Sequence, residues 1–314
     1  MSEESLLRRI HELECERNAW IKKYAQLDSR LKESQPSSVS PAEVNLCRSG
    51  LKPLGFLSSV FKEKNGTPRQ GNIVPNARAK IKVLDSAIDN PATSLCGIDE
   101  FSHVWILFVF HGNTNSRISA KVRPPRLNGE KKGVFATRSP HRPNPIGITL
   151  AKLDRVSGST LFLSGVDLID GTPIVDIKPF VSAYDAAPQV DCREASWLTD
   201  PTVVPIRTVV FSKQSLDDLH DVMPSLQFYC IDEEHLVVQT IEQIVTQDPR
   251  NLNMRRKHRD GTFGFCFDKL NVLYQINDSA SEATIVRMEL WPEGRPEVSE
   301  TRIKRGSLQV GLRT

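Results

Sequence analysis

From Leu51 onward the chain alternates short apolar and polar positions between clusters of Gly, Pro, Asn and Asp. The runs LKPLGFLSSVF, ARAKIKVL, HVWILFVF, GVFAT, GITLAKLDRV, TLFLSGVDL and PIVDIKPFV combine this alternation with β-branched residues. They predict strands, and together a mainly β domain over residues 49–190. VWILFVF is apolar at every position, so both faces of that strand should be buried. A connection at 191–205 leads into a smaller α+β domain over 206–314. Its predicted elements are a strand at PIRTVVFS, helices at SLDDLHDVM and HLVVQTIEQIVTQ, and closing strands at TFGFCF and LNVLYQI. At the other end, Leu6, Ile10, Leu13, Arg17, Trp20, Tyr24, Leu27 and Leu31 step by four and three, the seam of a coiled coil. This predicts a helix over 1–35, which either pairs with another helix or packs on its own globular body. A Ser- and Pro-rich linker at 36–48 follows it.

Composition narrows the class. The chain has 314 residues, 39% of them hydrophobic and 25% charged, and no run approaches the ~18 apolar residues of a membrane span. The charged N-terminus lacks a secretory apolar core and carries too many acids for a transit peptide. The six cysteines are scattered without a C-x-x-C pair, which favours reduced thiols over disulfides or a structural zinc. A cytoplasmic protein without a metal is expected. The net charge is only +3, but residues 117–155 hold ten basic side chains against Glu130 and Asp154. Such a concentration of positive potential suits a phosphate-bearing partner, although a solvated basic loop has the same composition.

Four stretches place functional groups beside Pro and Gly: TPRQG (67–71), FVFHGN, GVFATRSPHRPNPIGIT (133–149) and VDLIDGTPIVDIKPF (166–180). Taken singly, each has a plain explanation. His111 can cap a strand end, Asp170-Gly171 favours a tight turn, and Asp176 and Lys178 share a strand face. The recurrence of the same association in four places is what the plain explanations leave unaddressed. No G-x-G-x-x-G or G-x-x-x-x-G-K-[ST] occurs, so the usual Rossmann and P-loop signatures are absent.

VRPPRLNGEKKGVFATRSPHRPNPIGIT followed by DLIDGTPIVDIKPF closely resembles the TsaA/TrmO-like methyltransferases, with TPRQ and EFSHVWILFVFH in the same order and spacing upstream. The resemblance is strong over residues 51–184 and looser at QDPR (247–250) and GFCFDKLNVLYQI. It implies a single-sheeted β barrel and a homodimer with its active site near the subunit interface. It also implies transfer of a methyl group from S-adenosylmethionine to N6 of threonylcarbamoyladenosine at position 37 of tRNA. The cofactor contacts it implies are Pro68, Arg69, Gln70, Phe110, His111, Arg138 and Ile148, together with Asp167, Leu168, Ile169, Asp170 and Gly171. In RSPHRPN some relatives have Thr in place of Pro140, a difference in stiffness.

In-line displacement at a sulfonium needs alignment, an apolar cleft and groups that orient the amino-acid end of the cofactor. Arg69 or Arg138 could pair with its carboxylate, and Asp167 or Asp170 could accept from its ammonium or ribose hydroxyls. The target nitrogen is urea-like, weakly nucleophilic and relatively acidic, so a base is useful. Asp170 and His141 are the candidates. Arg123, Arg126 and Arg142 suit RNA phosphates or the threonyl carboxylate, and Arg255 and Arg256 of RRKHRDG are a second candidate contact for phosphates. An RNA-binding adaptor without catalysis is the competing reading. A Rossmann-type adenine methyltransferase, prompted by Asn144-Pro145, lacks both the second aromatic residue of its motif and the glycine loop.

Overall fold

The computed structural model describes residues 50–112, 118–124, 127, 129–186, 192–199, 206–250, 254–255 and 261–291. The expected coiled-coil helix and linker, Arg126 and Arg256 lie outside the described residues.

Six strands close an antiparallel barrel in the order β1-β2-β7-β6-β3-β8. They are β1 (Gly55–Ser59), β2 (Arg78–Val83), β3 (His103–Val109), β6 (Ile146–Ser157), β7 (Thr160–Ser164) and β8 (Pro173–Pro179). Closure comes from pairing of β1 with β8. Period-two patterning fills the barrel: Leu57, Ile81, Ile106, Leu161, Leu163 and Ile174 are all buried inside it. In β3 the residues that point outward, Trp105 and Leu107, are themselves half-buried, which accounts for the continuous apolar run.

GVFAT departs from expectation. Only Gly133 belongs to a strand there, in the two-residue pair of β4 (Lys121–Val122) and β5 (Lys132–Gly133). Val134–Ala136 turns into a 3-10 helix that buries Val134 and leaves Phe135 76% exposed. Three apolar residues in a row cannot show whether the side-chain period is two or three.

The second region is a four-stranded sheet in the order β10-β11-β12-β9, covered by two helices. Its strands are β9 (Thr208–Phe211), β10 (Thr262–Phe267), β11 (Leu270–Asn277) and β12 (Glu282–Leu290). The helices are α1 (Lys213–Val222) and α2 (Glu234–Thr246). Ser212 caps α1 by accepting from the Ser215 amide at 3.0 Å. The sequence reading ends at LNVLYQI and misses β12, the strand that joins β11 to β9. β12 carries charges at Glu282, Arg287 and Glu289, which thin its apolar signal.

The barrel and this sheet share a core. Val60, Phe61, Val74 and Ala77, from the segments around β1 and β2, pack with Tyr229, Ile241, Phe265 and Phe267. Arg78 of β2 makes a two-pronged ion pair with Glu233 at 2.6 and 2.7 Å. That guanidinium draws the Glu233 carboxyl down to about 2.

Candidate active site

The four stretches singled out above meet at one end of the barrel. Two glycines allow it. Gly71 lies against the Gly165 backbone, and a Cβ there would overlap the Gly165 carbonyl oxygen. This contact holds the TPRQG loop beside the β7–β8 connection. Gly147 of β6 faces Phe108 across the β3–β6 ladder, and a Cβ there would fall on the Phe108 ring. The ring can therefore lie flat over β6 and stack edge-on with Phe110, their centroids 4.8 Å apart.

Phe108 and Phe110 form one wall of a cavity of about 210 Å³. Leu168, Ile169 and Thr172 form the opposite wall, and His111, Pro140 and Asp167 complete the rim. The β7–β8 connection is fixed by its own backbone. The Asp170 amide donates to the Phe61 carbonyl (2.7 Å), that of Gly171 to Leu57 (2.8 Å), and the Thr172 hydroxyl to the Ile169 carbonyl (2.5 Å).

Within this frame Asp167 is the half-buried carboxylate of the cavity. The Thr149 hydroxyl donates to its Oδ1 at 2.7 Å. Desolvation pushes its carboxyl above the ordinary aspartate value, opposed by the Thr149 hydrogen bond and the positive charge of Arg138. Arg138 in turn donates from Nη1 to Gln70 Oε1 at 2.6 Å. The hydrogen bonds from Thr149 to Asp167 and from Arg138 to Gln70 thus join three of the four stretches.

Other expected residues lie elsewhere. Pro68 and Arg69 line a neighbouring, larger cleft together with Arg123 and Arg255. Asp170 faces away from the cavity, with Oδ1 accepting the Ser59 amide at 2.8 Å and Oδ2 3.1 Å from Lys62 Nζ. Gly171 occupies the exposed turn at φ +74°. Ile148 points outward from the barrel and is 51% exposed. His141 sits in the exposed loop next to Pro140, its amide donating to the Ser139 hydroxyl. Arg142 ties that loop together, with Nη1 reaching the carbonyls of Thr137 (2.8 Å) and Val134 (3.3 Å) and its guanidinium 5.4 Å from the Phe135 ring.

Sequence reasoning missed Thr149 and Lys64. Alternation along β6 was the available signal for Thr149. If Gly147, Ala151 and Leu153 face inward, Thr149 must as well, and Ile148 must not. Lys64 borders both cavities and donates to the Gly112 carbonyl at 2.6 Å, a long-range contact without a local pattern.

Among the described residues no group of His, Cys, Asp and Glu could hold a metal, and no helix is long and apolar enough to cross a membrane.

Known proteins with this arrangement bear on its meaning. Residues 56–186 match the family model of the tRNA-methyltransferase O N-terminal domain. The tRNA (adenine(37)-N6)-methyltransferase of Mus musculus is 58% identical over 135 residues, 43% of this chain and 31% of that protein. The chain thus spans about a third of the length of the mammalian relatives it matches. The enzyme of the same name from Escherichia coli K12 is 34% identical over 234 residues, 73% of this chain and 94% of the bacterial protein. A solved crystal structure of TrmO superimposes with a TM-score of 0.60 at 31% identity, covering 76% of this chain and 98% of that one. Similarity along nearly the whole Escherichia coli enzyme in sequence, and along nearly the whole of a solved TrmO chain in fold, means that the chain belongs to the TrmO family.

Proposed function

We propose that this chain methylates N6 of threonylcarbamoyladenosine at position 37 of tRNA, using S-adenosylmethionine. The observation that carries the proposal is the apolar cavity lined by Asp167, with the Arg138 charge acting on that carboxylate and its guanidinium held by Gln70, in a chain whose relatives bear the name tRNA (adenine(37)-N6)-methyltransferase. The residues present fit the cofactor. Phe108, Phe110, Leu168 and Ile169 offer apolar faces, Asp167 offers an anion and Arg138 a cation for a zwitterionic amino-acid end. When bound, S-adenosylmethionine supplies an electrophilic methyl on a sulfonium.

The work of the chain's own residues is orientation and proton removal. Asp167, held by Thr149, accepts from the ammonium or a ribose hydroxyl. Arg138, steadied by Gln70, receives the carboxylate. His111 lines the same cavity and completes the cofactor's surroundings. Asp170 is engaged by Ser59 and Lys62, which leaves His141, beside Pro140 on the cavity rim, to take the proton from N6. Arg123, Arg126, Arg142, Arg255 and Arg256 contribute the basic surface for RNA.

A homodimer accompanies this reading. Ile146 and Ile148 stand 45% and 51% exposed on the outer face of β6, opposite Val109 and Leu107 of β3, an apolar strip suited to a second copy. This would bring Ile148 to the partner's site rather than its own. A tRNA substrate implies work in the cytoplasm.

The test is mass spectrometry of tRNA nucleosides after incubation with protein and cofactor, with and without the threonylcarbamoyl group. Methylation of the modified nucleoside alone is expected. Its absence, together with no S-adenosylmethionine binding by calorimetry, would leave the adaptor reading instead.

A further inference from the structure

A second cavity is larger than the one lined by Asp167. It measures about 420 Å³ and lies where the TPR turn of the barrel faces QDPR at the end of α2. Five of its fifteen lining residues are cationic and one is an acid. That acid is already spent inside the protein. Asp248 accepts from Arg250 at 2.9 and 3.0 Å and from Arg255 at 3.1 Å, while Arg250 also holds Asp278 at 2.6 Å. The other three cations of the cleft, Lys64, Arg69 and Arg123, are exposed at its mouth. The floor is apolar, made by Ile73 and Ile244 with the rings of Pro68, Pro124 and Pro249.

An apolar floor under a cationic mouth, of a size suited to one small organic group, has the chemistry that receives a nucleotide. Prolines and isoleucines suit the face of a flat base, and guanidinium and ammonium groups suit a phosphate. The cleft adjoins the cofactor cavity, with Lys64 and Thr67 bordering both. We propose that this cleft is an RNA subsite that takes an unstacked nucleotide next to the methylated adenosine, with one wall from the barrel and the other from QDPR. The second region would thereby help to select the substrate. Recognition of single-stranded loops through splayed bases favours such pockets over a flat basic surface. This inference rests on the tRNA reading above and deepens it.

The test uses the full chain and a tRNA anticodon stem-loop carrying 2-aminopurine on either side of the target adenosine. Fluorescence should rise at one of these positions on binding, reporting unstacking. Arg123 is exposed, so Arg123→Glu should leave the fold intact. It should weaken stem-loop binding by about tenfold and abolish the rise, with S-adenosylmethionine affinity unchanged. The milder Arg123→Gln should lower the slope of log affinity against log salt by about 0.7. The inference is overturned if Arg123→Glu loses cofactor affinity while keeping RNA, because the cleft then belongs to the cofactor site. It is equally overturned if both affinities and the fluorescence rise survive, or if free adenosine monophosphate displaces the stem-loop at stoichiometric concentration. None of these three results touches the methyltransferase reading. Failure of the wild-type chain to bind the stem-loop would overturn both.

Discussion

Asp167 and Asp248 are both aspartates withdrawn from water at the end of a regular element, and they are used in opposite ways. Asp248 is saturated: Arg250 and Arg255 occupy both of its oxygens, and Arg250 is only 2% exposed. Asp167 takes a side-chain hydrogen bond from Thr149, and the cation that acts on it, Arg138, is directed at Gln70. Burial raises the proton affinity of Asp167, a penalty that a bound cation or hydroxyl would relieve. A desolvated charge satisfied within the chain builds structure, whereas one left partly unsatisfied beside a cavity is prepared for a ligand.

The comparison is broken most severely from the Asp248 side. Arg250→Ala leaves Asp248 buried and deprives Asp278 of its partner, and should cost about 3–5 kcal/mol in chemical denaturation. A variant as stable as the parent would mean that the QDPR network is not structural. Arg138→Ala is the counterpart at the site. It should lower turnover on threonylcarbamoyl-modified tRNA by at least ~100-fold while the melting temperature stays within a degree or two. Full turnover would remove Arg138 from the machinery.

Asp167→Asn sharpens the contrast. Cofactor affinity should fall by about tenfold, measured by calorimetry, yet the unliganded variant should be no less stable at neutral pH. A group whose folded value is raised stabilises the fold below its unfolded value and loses that contribution as pH rises through the folded one. The wild type should therefore gain relative to the variant only as pH drops toward the ordinary aspartate value of 3.8. The smallest effect is expected at the Arg78–Glu233 pair, which ties β2 to the second region. Glu233→Gln should cost about 1–2 kcal/mol at neutral pH. In the wild type that contribution is present above the ordinary value of 4.5 and fades as pH falls toward about 2, which denaturation as a function of pH would follow.

Much of the barrel could be read from alternation, because a strand with one face in a closed core must repeat every two residues. The exceptions are physical. GVFAT carries apolar residues in a 3-10 turn whose central ring faces solvent, and β12 reaches β9 by a parallel pairing that leaves no local mark. The site was legible as a set of stretches more than as a set of atoms. DLID contains two aspartates three residues apart, and composition cannot say which faces the cavity. The backbone bonds of Asp170 and Gly171 to Phe61 and Leu57 decide it by turning Asp170 toward Lys62. Likewise GIT was recognisable, but the strand's own pleat sends Thr149 inward and Ile148 outward.

Because Val60, Phe61, Val74 and Ala77 belong to the same packed interior as Phe265 and Phe267, the seam visible in the sequence is not a seam in cooperativity. Deleting the chain beyond the apparent boundary would strip apolar cover from Val60, Phe61, Val74 and Ala77, which flank the TPRQG loop. Damage to the distal sheet would thereby be felt at the Asp167 end of the barrel, and mutations far from the cavity could change what it binds.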